Sequence, residues 1–301
     1  MKSIFALWSL FVAPAVLALP LDVVYDKRQS TAQPYLLSDY SSYLDPARWS
    51  QAAYCFPRTG QTLNGANVLW ATGDGRDIPY VYVAYSPSAN TVVVAHQGTN
   101  TSSLYSIEND IDFGLTSPGA YLSGCLPSNS QVHSGFQDTF EATAGAVYNN
   151  VVAALQAHPG AAVLVAGHSL GASIGTLDHA YLACNLPYAG VSYSSLQSIV
   201  FGKPRTGDHV FATWMDNNVY TQHVTNGQDV VPHLPPSGKD SDDYWHESGE
   251  RWLNPANSYT AYVCPGQENA NCARGVSVLD YSTKDHTGYY FGVHIAGAGT
   301  C

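Results

Sequence analysis

The serine in "VLVAGHSLGASIG", residues 163–175, stands where a run of small apolar residues breaks off and a glycine- and alanine-rich stretch begins. Val163 to Ala166 read as a buried strand. Gly167, Gly171, Ala172 and Gly175 remove the bulk that would keep a following helix from packing closely against it. Gly167-His168-Ser169-Leu170-Gly171 fits the nucleophile elbow, in which a strained turn lifts a serine hydroxyl above a sheet and the next backbone N–H faces the reacting oxygen. G-x-S-x-G alone recurs by chance; the strand before it and the helix after it make Ser169 a candidate nucleophile. His168, beside the serine on a turn whose side chains point elsewhere, reads as a packing or hydrogen-bonding residue.

A hydroxyl at its free pKa is a weak nucleophile, so Ser169 needs a histidine base, and that base needs a carboxylate to fix its tautomer. Where an elbow serine is used, the acid and then the histidine follow it in the chain. "HVTNGQDVVPHLPP" (223–236) places Asp229 on a polar loop after a strand, at the carboxyl edge of the sheet, with prolines stiffening the residues after it. Asp208 in "KPRTGDHVF" is the rival, although it reads more simply as a helix N-cap. "DHTGYYFG" (285–292) sets His286 on a polar turn ahead of an aromatic anchor, and spacing alone leaves His246 and His294 in competition with it.

The elements that must position these groups alternate. Strand-like runs fall at Tyr80 to Tyr85, Thr91 to His96, Ala162 to Ala166, Leu196 to Phe201 and Val219 to Val224, with helical stretches between. The longest of these, Gly135 to His158, carries Phe136, Phe140, Val147, Val151 and Leu155 as one apolar stripe closed by Pro159-Gly160. Such alternation predicts an α/β fold with helices packed around a central sheet. The short turn between the first two strands makes them antiparallel and the sheet mixed.

Met1-Lys2, an apolar run from Ile4 to Leu19 and the small-residue site Val16-Leu17-Ala18 have the layout of a secretory signal peptide over residues 1–18. Lys27-Arg28 reads as a dibasic processing site, which makes 19–28 a propeptide and 29–301 a single domain. No other stretch is apolar enough for a membrane anchor. A net charge of −11, from 12 basic and 23 acidic residues, disfavours nucleic acid and electrostatic attachment to anionic membranes. Six cysteines in a secreted chain predict three disulfides, with the connectivity open from spacing alone. No His/Cys spacing suggests a metal site, and no cofactor is expected.

Together, "VHSGFQDTF" (132–140), "GHSLGAS" (167–173), "FGKPRTGD" (201–208), "NGQDVVPHLPP" (226–236) and "DHTGYYFG" resemble, in order, the secreted fungal class 3 lipases and feruloyl esterases. Through "GTN" (98–100) and "PGQEN" (265–269) the chain is especially similar to the mono- and diacylglycerol lipases of lipophilic yeasts. The resemblance implies an α/β-hydrolase-type fold with a central mixed, mainly parallel sheet flanked by helices and a short helical lid. It implies Ser169 as nucleophile, Asp229 as orienting acid and His286 as base. The backbone N–H of Leu170 and the residue Thr99 would then form the oxyanion hole, where each donor is worth about 3 kcal/mol. Gln97 departs from the family, which has arginine there, so the lid contact of that arginine has no counterpart.

Residues 100–112 carry Leu104, Ile107 and Ile111 on one helical face, which reads as a small lid leading out of the oxyanion strand, or else as a surface helix. Asn100-Thr101-Ser102 is a glycosylation sequon expected to be unused or only partly used, because a sugar there would crowd the mouth of the site. The resemblance also implies Cys55 with Cys301 and Cys264 with Cys272, which leaves Cys125 with Cys184. The implied activity is a monomeric, secreted carboxylic ester hydrolase acting on lipid at an interface. A feruloyl or aryl esterase and a catalytically inactive binding protein on the same scaffold are the alternatives.

Overall fold

The computed structural model describes residues 30–99, 114–237, 244–296 and 301. Ten strands form one sheet, in the order Tyr35–Leu36, Ala261–Val263, Glu250–Leu253, Tyr220–Asn226, Leu196–Phe201, Ala162–His168, Thr91–His96, Val81–Ser86, Ala66–Thr72 and Thr62–Leu63. The five adjacent strands from Glu250–Leu253 to Thr91–His96 run parallel, and antiparallel pairs close the sheet on both sides. The fold is thus the expected α/β type.

Helices cover both faces, so the central strands are buried on both; all six residues of Thr91–His96 are buried, and Val92 to Ala95 form an unbroken apolar run. Successive side chains of a strand point to opposite faces. Val93, Ala95, Leu164 and Ala166 accordingly pack against Ala47 and Trp49 of helix Ser41–Ala53. On the other face, Val92, Val94, Val163 and Val165 meet Val147, Val151 and Leu155 of helix Ala144–Ala157 and Leu182 of helix Leu170–Asn185.

The predicted single helix from Gly135 to His158 is in fact two, Ser134–Glu141 and Ala144–Ala157, separated at Ala142 and Thr143. The apolar stripe serves two destinations. Phe136 and Phe140 enter a separate core with Leu122, Ile174 and Phe211, whereas Val147, Val151 and Leu155 lie on the sheet. One straight helix cannot reach both cores, and the chain turns between them.

Disulfides join Cys55 to Cys301, Cys125 to Cys184 and Cys264 to Cys272. Glu250, Cys264 and Cys272 form the one group of metal-ligand types in close proximity among the described residues, but both sulfurs are spent in a disulfide, which leaves no thiolate. Among those residues no helix is long and apolar enough to cross a membrane. The expected signal peptide and propeptide (1–28), the lid residues Leu104, Ile107 and Ile111, and the Asn100 sequon lie outside the described residues.

Candidate active site

The strand Ala162–His168 ends at Ser169, and helix Leu170–Asn185 begins with the next residue. Ser169 holds φ 59° and ψ −133°, a conformation that a residue with a Cβ adopts at a cost of about 1–3 kcal/mol. Close approach explains the glycines around it. A Cβ on Gly171 would lie 2.5 Å from the Gln97 carbonyl oxygen, and one on Gly98 would lie 2.4 Å from the His168 carbonyl oxygen and 2.8 Å from the Ser169 Cβ. The end of strand Thr91–His96 therefore presses directly on the elbow. Thr99 follows Gly98 at that contact, and Leu170 opens a helix whose first N–H groups have no carbonyl one turn behind them.

Asp229 and His286 meet from opposite ends of the later chain. Asp229 follows the strand Tyr220–Asn226, where one Oδ accepts from the Val231 N–H at 2.9 Å and the other lies 2.9 Å from His286 Nδ1. The loop carrying Asp229 is sewn to the short helix Thr283–His286. Ser282 N–H donates to the Gln228 carbonyl at 2.8 Å, Gln228 N–H to Asp285 Oδ2 at 2.9 Å, and Asn226 Nδ2 to the Asp285 carbonyl at 2.8 Å. Both Asp229 and His286 are buried.

The base is brought to the serine through the strand between them. Ser169 N–H donates to the Phe201 carbonyl at 3.0 Å, and a Cβ on the next residue, Gly202, would stand 2.9 Å from His286 Cε1. Because the carboxylate only accepts, the His286 proton sits on Nδ1 and Nε2 keeps its lone pair. Ser169 Oγ and His286 Nε2 are both buried, and neither has a hydrogen-bond partner among the described residues. Other buried polar atoms, Trp49 Nε1 and His179 Nε2 among them, also lack partners, but these two belong to the proposed proton donor and acceptor.

The rival residues are occupied elsewhere. Asp208 caps helix His209–Asn218, accepting from Phe211 N–H at 2.8 Å. His246 is buried with Nε2 against the Pro232 carbonyl at 2.8 Å, and His294 stacks on Tyr289 with ring centroids 4.6 Å apart. Gln97, which stands where the resemblance has arginine, is turned inward: its side-chain oxygen accepts the Tyr80 N–H at 2.9 Å.

Sequence reasoning missed a buried ionic cluster behind the acid loop. Arg205 Nε and Nη2 meet the two carboxylate oxygens of Glu268 at 2.7 and 2.9 Å, and its Nη1 donates to the carbonyls of His233 and Pro235 at 2.6 and 2.8 Å. Lys203 Nζ meets Glu247 at 3.0 Å. These partners hold the carboxyls of Glu268 and Glu247 below the usual range despite the opposing effect of burial. The available signal was composition. In a chain only 12% charged, "FGKPRTGD" puts two cations just after a core strand, and "PGQEN" puts one glutamate in a loop bracketed by cysteines.

A serine at a strained strand–helix turn above parallel strands, with a buried His–Asp pair arriving from later loops in that order, defines a serine hydrolase on an α/β-hydrolase-type scaffold. The family model "Lipase (class 3)" matches residues 93–239. A secreted mono- and diacylglycerol lipase of Malassezia globosa is 34% identical over 91% of this chain and 89% of its own, and one of Gibberella zeae is 32% identical over 91% and 85%. The crystal structure of Lip2 lipase from Yarrowia lipolytica superposes with a TM-score of 0.74 at 21% identity, covering 90% of this chain and 99% of that one. The chain belongs to the class 3 lipases. Secreted relatives and three disulfides place it in an extracellular, oxidising setting.

Proposed function

We propose that the protein hydrolyses acylglycerol esters at a lipid–water interface, with Ser169, Asp229 and His286 as its triad. Ser169 Oγ attacks the ester carbonyl carbon while its proton passes to His286 Nε2, and Asp229 holds and stabilises the resulting imidazolium. The tetrahedral oxyanion accepts hydrogen bonds from the N–H of Leu170 and from Thr99. Collapse breaks the ester C–O bond as His286 returns the proton to the departing glyceride oxygen. A water molecule then gives a proton to His286 and attacks the acyl carbon, and the bond from that carbon to Ser169 Oγ breaks as His286 returns the proton to Oγ, releasing the fatty acid.

The observation that carries this reading is the buried His286–Asp229 contact at 2.9 Å together with the unpartnered Ser169 Oγ and His286 Nε2. The relatives' named activity on mono- and diacylglycerols supports the substrate class. Purified protein offered dioleoylglycerol and methyl ferulate tests it. Fatty acid release from the glyceride is expected, and turnover of the ferulate with none of the glyceride would replace the proposal with an aryl esterase.

A further inference from the structure

His168 and Tyr54 belong to neither the triad nor the oxyanion hole, yet they lie where all the catalytic parts converge. His168 Nε2 is 2.8 Å from the main-chain carbonyl oxygen of His286, and its ring stacks on the His286 ring with centroids 4.5 Å apart. His168 Nδ1 is 2.8 Å from the Tyr54 hydroxyl. A carbonyl only accepts, so Nε2 carries the proton, and Nδ1 must accept from Tyr54. The Tyr54 hydroxyl in turn packs directly on Gly98, the residue before Thr99, where a Cβ would lie 2.4 Å from the hydroxyl oxygen.

These contacts form one continuous path. It runs from Gly98, packed on Tyr54 Oη, through Tyr54 O–H to His168 Nδ1 and from His168 Nε2–H to the His286 carbonyl. Each link fixes a different catalytic part: the end of the oxyanion strand, the elbow residue before Ser169, and the base. Tyr290 closes the far side, its hydroxyl 3.2 Å from the same His286 carbonyl and 3.3 Å from Asp229 Oδ2. His168 and Tyr54 are buried, Tyr54 at the end of helix Ser41–Ala53 and next to the Cys55–Cys301 disulfide. Burial holds the His168 imidazole well below its ordinary range, with the charge of His286 acting the same way, and pushes the Tyr54 phenol up. The pair therefore stays neutral, His168 donating through one nitrogen and accepting through the other.

We infer that Tyr54 and His168 are positioning residues, a neutral buried relay that sets the orientation of His286 relative to Ser169 and the register of Gly98–Thr99. Neither touches the substrate. The inference rests on the proposed triad, but not on the acylglycerol substrate.

The test compares wild type with Tyr54→Phe, which removes only the hydroxyl, using the rate and the endpoint of fluorophosphonate labelling together with p-nitrophenyl butyrate turnover. The expected result is a labelling rate and kcat lower by about tenfold or more with KM within about twofold, while the endpoint stays at one label per chain. Full stoichiometry at a reduced rate separates misplacement from a loss of folded protein. 15N NMR of histidine-labelled wild type supplies an independent reading, with His168 expected neutral and protonated on Nε2. A Tyr54→Phe rate within twofold of wild type, or a His168 proton on Nδ1, would overturn the inference. If Tyr54→Phe does not fold, the wild-type tautomer still decides. Normal labelling by a protein that hydrolyses no glyceride would count against the proposed substrate and leave the relay standing.

Discussion

Two buried polar regions flank the loop that carries Asp229, and they use their groups in opposite ways. On the elbow side, one carboxylate faces His286 and Tyr290, His168 holds the His286 main chain, and the Ser169 hydroxyl and the outer nitrogen of His286 are left without partners. On the other side, Arg205 is bound bidentate to Glu268 and also donates to two carbonyls of the acid loop, and Lys203 is paired with Glu247. In the first region the unpartnered atoms belong to the proposed nucleophile and base; in the second the cations are committed to partners, and the atoms left over are Glu247 Oε1, His233 Nε2 and His246 Nδ1. Buried charges are stable only when compensated. The ionic side therefore fixes the loop, and the elbow side can hold atoms that wait for a proton.

The sharpest way to break the contrast is to remove one carboxylate on each side. Asp229→Asn keeps the shape but leaves His286 free to take the wrong tautomer, and it should lower kcat by about 10⁴ with little effect on thermal stability. Glu268→Ala strands the Arg205 guanidinium in a buried site. It should cost about 3–5 kcal/mol in denaturant unfolding, while protein that remains folded keeps kcat within several-fold. A reversal, with Asp229→Asn unfolding the protein and Glu268→Ala abolishing turnover, would erase the distinction.

Acid should act on both sides at once. Burial holds His179, His223 and His233 down to about 4, and His168 and His246 well below 6.5. The unfolded chain protonates these imidazoles near pH 6.5, whereas the folded chain keeps them neutral well below that, His179, His223 and His233 down to about 4. The unfolded state thus binds more protons, and stability is lost as pH falls from about 6.5 towards 4. Asp178, Asp208, Asp216 and Glu250, pushed up by burial, pull in the opposite direction, and the five imidazoles outnumber them. Urea midpoints measured across this range should fall towards acid, and a flat or rising series would contradict the burial argument. The smallest effect is expected outside both regions. His294→Ala, which removes a histidine stacked at the periphery, should leave kcat within about twofold by initial-rate assay.

Much of the site was legible because its signals are local. Small residues at Gly167 and Gly171 mark the elbow, and Asp208 precedes its helix as a cap should. The local sequence put Asp229 ahead of Asp208 but left His286 in competition with His246 and His294, and the family resemblance chose among them; the proposed acid and base lie 57 residues apart in the chain, a separation that no local pattern spans. The Tyr54–His168 contact, 114 residues apart, left no mark in the sequence, because a buried tyrosine serves equally well as plain core. The break at Ala142 and Thr143 was hidden for a related reason. Helical periodicity records which residues are apolar, but not that Phe140 and Val147 are bound for different cores.

The central claim is that Ser169 is the nucleophile and that His286 activates it. Peptide-mapped mass spectrometry of fluorophosphonate-treated wild type and His286→Ala measures this directly. The account predicts one adduct per chain on Ser169 in wild type, formed about a thousandfold or more slowly without the imidazole. An adduct on another residue, or equal rates in the two proteins, would contradict it.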